Sequence, residues 1–312
     1  MDNFYDVIII GRGPAGLTSA VYTARSRLNT LVLGRQDLPS QLSLTDVVEN
    51  YPGFPQGIKA YQLLERLENQ AEKFGAQLKY EKVEKIERKE DKWQIIGRNQ
   101  RYQTISLIVA TGTKPKKLGV KGEEEFLGKG VSYCAVCDAP FFKDKNVVVI
   151  GGGNTAIEEA LYLAKFAKKI TLVHRRQMLR ATKILQERIF SHNKIEIEWN
   201  SLLKEIKGED KVKSVKLWNI KEEQEKEIFC QGVFIFVGNT PNTEFLKGVV
   251  ELNQERFVVV DKDMATSQQG IFACGDCTDV SLKQVATAIG TASLAGVKAK
   301  DYVENYKGIA YK

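Results

Sequence analysis

Two cysteines three positions apart, followed at once by an acid, form the most reactive pattern in the sequence: Cys134-Ala135-Val136-Cys137-Asp138. Thiols at that spacing close an intramolecular disulfide readily, and the thiolate is the species that attacks another disulfide. An adjacent acid such as Asp138 can assist proton transfer. Shortly after the pair, Val147-Val148-Val149-Ile150 runs into Gly151-Gly152-Gly153-Asn154-Thr155-Ala156, an apolar strand leading to a glycine turn and a helix. A dithiol close to a dinucleotide turn suits the movement of electrons between a nicotinamide and a disulfide.

Other readings of the thiols are weaker. A zinc site would need two further ligands, and the only histidines are His174 and His192, so no metal site is expected. Cys274 and Cys277 share the Cys-x-x-Cys spacing but flank Gly275-Asp276, where packing asks only for small side chains; buried thiols are expected there. Cys230 reads as a strand residue and His192 as a surface residue of a polar turn. Five cysteines, an odd number, argue against a structural disulfide framework.

The elements that must position this chemistry begin with Phe4-Tyr5-Asp6-Val7-Ile8-Ile9-Ile10, a strand apolar enough for burial on both faces of a parallel sheet. It enters Gly11-Arg12-Gly13-Pro14-Ala15-Gly16. Glycine there permits a tight turn, close approach to a pyrophosphate and close helix packing. The next strand, Thr30 to Leu33, ends in Gly34-Arg35 where an acid for a ribose hydroxyl is expected. A helical stripe over Leu63, Leu64, Leu67, Ala71 and Phe74 follows. Residues 77–109 read as a small antiparallel insertion closing on Ala110-Thr111-Gly112, and Lys114 to Lys129 as a linker. The strand after the second glycine turn ends in His174-Arg175-Arg176, with Arg180 beyond. Arginines at that position offer planar donors to a 2′-phosphate, which favours NADP over NAD. Ile195–Trp199, Val212–Trp218 and Glu225–Phe229 read as a second antiparallel stretch. Val258–Val260 reads as a strand, and a helix rich in small residues is expected from about Lys283 to Tyr302.

The expected fold is α/β, with two Rossmann-like three-layer domains carrying antiparallel insertions. The net charge of +7 comes from lysines and arginines interleaved with acids, a solvated surface rather than a nucleic-acid face. No apolar run reaches the length of a membrane span and a strand starts close to Met1, so a cytoplasmic protein without membrane or nucleic-acid partners is expected.

These motifs together resemble the low-molecular-weight, bacterial-type thioredoxin reductases nearly end to end. The resemblance rests on Gly11 to Gly16, Glu49-Asn50-Tyr51-Pro52-Gly53, Ala110-Thr111-Gly112, the Cys134–Asp138 segment, Gly151 to Ala156 with Glu158-Glu159-Ala160, His174-Arg175-Arg176, Val237-Gly238 with Pro241-Asn242-Thr243, and Gly275-Asp276. It implies a discontinuous FAD domain (1–114 and 246–312), an NADPH domain (115–245) carrying the dithiol, a homodimer and a rotation between domains. It implies that Cys137 faces the flavin, Cys134 attacks the disulfide of thioredoxin or a similar small protein, and Asp138 moves protons. It places FAD on Gly11, Gly13, Pro14, Ala15, Gly16, Arg35, Gln41, Leu42, Asn50, Val83, Thr111, Gly112, Gly275, Asp276, Lys283, Gln284 and Val285. NADPH falls on Gly151, Gly152, Gly153, Asn154, Thr155, Ala156, His174, Arg175, Arg176 and Arg180.

The sequence departs from the family at Pro39-Ser40 (usually Gly-Gly before Gln-Leu), at Lys283-Gln284-Val285 (usually Arg-Gln-Ala), at Arg12, and at Ala139-Pro140 after the acid. Two alternatives stay open: the same fold reduced by ferredoxin or another donor, and a non-catalytic flavoprotein redox sensor.

Overall fold

The structure is a computed structural model that describes residues 3–36 and 40–310. The chain divides into two compact units, one built from residues up to 43, 47–114 and 240 onward, the other from 115–239 with Leu44–Asp46.

In the first unit β1 (Phe4–Ile10) turns into α1 (Pro14–Arg25), followed by β2 (Thr30–Gly34), α2 (Ala60–Lys73), β3 (Gln77–Tyr80), β4 (Val83–Lys89), β5 (Lys92–Gly97) and β6 (Arg101–Val109). The sheet order is β3-β2-β1-β6-β5-β4, with a late strand, Ile271–Ala273, also paired to β6. Successive side chains of a strand face opposite ways. Val7 and Ile9 accordingly join the core under α1, while Ile8 and Ile10 join a separate core on the other face.

The second unit contains β7 (Val131–Ser132), α3 (Ala135–Asp138), β8 (Asn146–Gly151), α4 (Asn154–Leu163), β9 (Lys169–Val173), α5 (Lys183–Phe190), β10 (Ile195–Glu198), β11 (Ser201–Gly208), β12 (Val212–Asn219), β13 (Gln224–Phe229) and β14 (Gly232–Phe236). A parallel sheet β7-β14-β8-β9-β10 lies in this unit with an antiparallel sheet β11-β12-β13. The chain then returns to the first unit as β15 (Ile271–Ala273) and α6 (Val285–Lys307), where Ser19 Oγ of α1 donates to Ala292 O at 3.0 Å.

Four expectations are corrected. β3 runs parallel to β2 and β10 parallel to β9, although both segments were expected in antiparallel stretches. The reason is connectivity: α2 and α5 supply the crossovers that parallel strands require. Val258–Val260 forms only isolated bridges, because Val258 N–H bonds Cys277 O while Val259 N–H bonds Glu251 O. The expected linker after Lys114 is instead folded around buried Glu123. That carboxylate accepts the amides of Leu118 (2.9 Å), Gly119 (2.6 Å) and Val120 (3.3 Å) and the Tyr133 hydroxyl (2.6 Å).

Candidate redox site

Cys134 and Cys137 form a disulfide with their Cα atoms 5.4 Å apart. The short helix α3 starts on Cys134, whose Sγ accepts the amide of Cys137 at 3.1 Å, an N-cap made by sulfur. Ser132 Oγ accepts the amide of Cys134 at 3.0 Å and fixes the approach to the helix. Cys134 is buried, Cys137 exposed and Asp138 half-buried. Ala139-Pro140 opens a 3-10 turn to Phe142, whose ring packs edge-on against Phe234 at 5.1 Å. Glu159 of α4 reaches this segment from behind, its Oε2 accepting the Ala135 amide at 3.1 Å. Reading Glu159 only as part of a motif missed this. The signal was present: Ala156, Ala160 and Leu163 mark the buried face of α4, and helical periodicity puts Glu159 on it.

In the same unit the glycine turn is closed by the loop 174–182. Gly151 has φ +155, and a β-carbon there would lie 2.5 Å from Phe236 O. A β-carbon on Gly152 would lie 2.3 Å from the His174 ring, while one on Gly153 meets open space. Arg180 N–H donates to Gly152 O (2.7 Å) and Thr182 N–H to Asn154 Oδ1 (2.9 Å). Thr155 is exposed and Ala156 buried at the start of α4. His174 is buried with Nε2 3.0 Å from Met178 O, and burial holds its imidazole below the ordinary value. Arg175, Arg176 and Arg180 are exposed along this loop. An open glycine, helix amides and nearby guanidinium groups can take a dinucleotide phosphate.

The first unit holds a second cradle. Gly11 has φ +127 and a β-carbon there would lie 2.0 Å from Ala110 O; at Gly16 it would lie 1.8 Å from Gly11 O. Gly13 and Pro14 open α1, and Ala15 Cβ lies 2.8 Å from where a β-carbon on Gly275 would sit. Thr111-Gly112 follow β6, and Asn242 Nδ2 donates to Thr111 O at 3.0 Å. Asn50 Nδ2 donates to Gln284 Oε1 at 2.9 Å, which joins two predicted cofactor residues 234 positions apart. Gln41 Nε2 donates to Thr113 O (2.9 Å), Leu42 is buried, and Val285 packs near it. The hydroxyls of Thr113 and Thr287 are buried without partners. Tight glycines, a helix N-terminus and waiting polar atoms fit a flavin dinucleotide.

The surroundings of the other predicted FAD residues, and of the positions where the sequence departs from the family, vary. Val83 contributes to the core of the β4–β5 hairpin with Ile86, Trp93 and Ile95. Arg35 is exposed, and Pro39 lies outside the described residues. Arg12 places its guanidinium over the Tyr80 ring at 4.4 Å and pairs with Glu68, while its aliphatic stem fills the space beside Gly34. Lys283 Nζ donates to Thr278 O (2.8 Å) and Val280 O (3.3 Å) and lies 3.9 Å from the Phe257 ring centre. Burial raises the carboxyl of Asp276 above the ordinary range, with Lys283 pulling the other way. Burial also pushes the thiols of Cys230 and Cys274 up to about 12, so they are poor nucleophiles. Among the described residues no group of three His, Cys, Asp or Glu side chains could hold a metal. No described helix is long and apolar enough to cross a membrane.

Two units with parallel sheets and glycine turns, one of them carrying a disulfide three residues wide, define an oxidoreductase of the flavin and pyridine-nucleotide class. Residues 5–292 match the family described as pyridine nucleotide-disulphide oxidoreductase. The chain is 42% identical over 310 residues to a thioredoxin reductase of Peptoclostridium acidaminophilum, covering 97% of this chain and 98% of that one. It is 45% identical over 308 residues to one from Listeria innocua, with 98% and 96% covered. The crystal structure of Lactococcus lactis thioredoxin reductase matches with a TM-score of 0.94 at 41% identity, covering 96% of this chain and 99% of that one. The chain belongs to the low-molecular-weight thioredoxin reductase family of flavoprotein oxidoreductases.

Proposed function

We propose that this enzyme moves electrons from NADPH through FAD to the Cys134–Cys137 disulfide, and from the resulting dithiol to the disulfide of thioredoxin or a similar small protein. The observation that carries it is the disulfide itself, capping α3 in the unit that also holds the arginine-flanked glycine turn. Bound FAD supplies two-electron exchange between a nicotinamide and a disulfide. Gly11–Gly16, Thr111-Gly112, Gly275-Asp276 and the Asn50–Gln284 pair would hold it. Arg175, Arg176 and Arg180 would receive the 2′-phosphate of NADPH, with phosphates over Gly152 to Ala156.

The chain's own residues do the thiol chemistry. On reduction, the Cys137 amide aimed at Cys134 Sγ stabilises a thiolate there and prepares it for attack. Asp138, on the same helix, takes and returns protons in this reading. Action in the cytoplasm as a homodimer belongs to the same reading.

The test is anaerobic. NADPH should bleach the flavin absorbance, and oxidised thioredoxin should restore it. A flavin that stays oxidised with NADPH but bleaches with reduced ferredoxin would replace the electron donor. A flavin reduced by NADPH that thioredoxin cannot reoxidise would overturn the proposed acceptor.

A further inference from the structure

Among the buried titratable groups outside the residues assigned above, one carboxyl is turned toward the dithiol segment. Glu159 is 5% exposed and lies on the apolar face of α4. Its Oε2 accepts the Ala135 amide at 3.1 Å, and the neighbouring Val136 amide also favours the ionised carboxyl. The Cys137 amide is aimed at Cys134 Sγ. The first-turn N–H groups of α3, which no intrahelical carbonyl can satisfy, are therefore shared between one carboxyl and one sulfur. Both acceptors draw on the same small set of backbone dipoles.

We propose that Glu159 is a positioning residue for the redox disulfide, holding the Ala135 backbone and, when ionised, opposing the thiolate that reduction creates at Cys134. The proposal rests on Cys134–Cys137 being the working disulfide. Reduction puts two electrons into the S–S bond. One proton taken up leaves a thiol and a thiolate, and a second leaves two thiols. Burial pushes the Glu159 carboxyl up to about 8 against the pull of its amide partners, and the charges of Glu158 and Asp46 push in the same direction as burial. Asp138 is the acid on α3, while β8 and α5 present Val147, Val149, Leu185 and Ile189 to this core, all apolar. Above that pH two negative charges rest on neighbouring N–H groups of one helical turn, the carboxylate on Ala135 and the thiolate on Cys137, so the reduced state loses stability.

The experiment equilibrates the full-length holoenzyme with dithiothreitol redox buffers, in which each reagent dithiol closes to its cyclic disulfide as it gives up two electrons. Protein thiols are counted by alkylation and mass. Glu159→Gln keeps the acceptor oxygen but cannot ionise. Its midpoint potential should match the wild type in the acid range and part from it in the alkaline range. There the wild type should be roughly tenfold harder to reduce, a difference of about 30 mV for a two-electron couple. Glu159→Leu, which removes the acceptor, should shift the couple at every pH. Wild-type and Glu159→Gln curves that coincide across the whole range overturn the proposal. A wild-type pair that accepts no electrons at any pH instead overturns the reading of Cys134–Cys137 as a working disulfide.

Discussion

The imidazole of His174 occupies the space into which a side chain on Gly152 would project: an ideal β-carbon there lies 2.3 Å from ring atoms Cε1 and Nδ1. The glycine turn and the arginine loop are thus locked to one another by a missing methyl group. Gly152→Ala forces the ring out and carries the loop with it. We expect the KM for NADPH to rise at least tenfold, flavin content to stay unchanged, and stability to fall by about 1–3 kcal/mol from overpacking. Steady-state kinetics and thermal melting check this.

His174 also makes stability depend on pH. Burial holds its folded-state value below the ordinary 6.5, so the unfolded chain binds the proton more readily. The stabilisation is complete above 6.5 and is lost as the pH falls from there through the folded-state value. Denaturant unfolding of the wild type on acidification should show this loss. His174→Gln should flatten that part of the profile.

The exposed arginines should separate the two nicotinamide cofactors. Charge-assisted contacts to a phosphate are worth about 1.5–3 kcal/mol. Arg175→Ala or Arg176→Ala should therefore raise the KM for NADPH roughly 10- to 150-fold. The KM for NADH, which lacks the 2′-phosphate, should barely change. An equal loss for both cofactors would argue against a 2′-phosphate site.

Breaking the disulfide should divide the reaction in two. Cys134→Ser and Cys137→Ser should each abolish thioredoxin reduction while NADPH still bleaches the flavin in stopped flow. Loss of bleaching as well would mean that the substitution had disturbed cofactor binding rather than thiol exchange.

Lys283 holds its own turn together through two carbonyls and the Phe257 ring. Lys283→Met should cost about 1–2 kcal/mol, in the range of a half-buried cation–π contact with charged hydrogen bonds. The Gly275–Val285 segment should loosen, and FAD should be lost more easily on dilution. Melting curves and flavin retention by gel filtration measure both.

The dithiol, the two glycine turns and the arginine cluster were legible in the sequence because each is a local pattern, with reactive atoms set by a spacing of a few residues. The helix α6 was likewise legible from its small residues, but its contact with α1, where Ser19 Oγ donates to Ala292 O, was not. The strand direction of Gln77–Tyr80 and Ile195–Glu198 was not legible. Alternation marks a strand but not its neighbour, and the neighbours here are fixed by the crossover helices α2 and α5.

The side-chain roles divide in the same way. Sequence by itself determined which residues could do redox chemistry and which turns could approach a phosphate, since those depend on residue type and short-range geometry. Only the tertiary structure decided that Arg12 is turned onto Tyr80 and Glu68, that Lys283 bonds the carbonyls of its own turn, and that Glu159 meets the amide of Ala135. Each of these joins groups whose meeting depends on packing and burial, and a one-dimensional pattern carries no record of which buried donor an acid will reach.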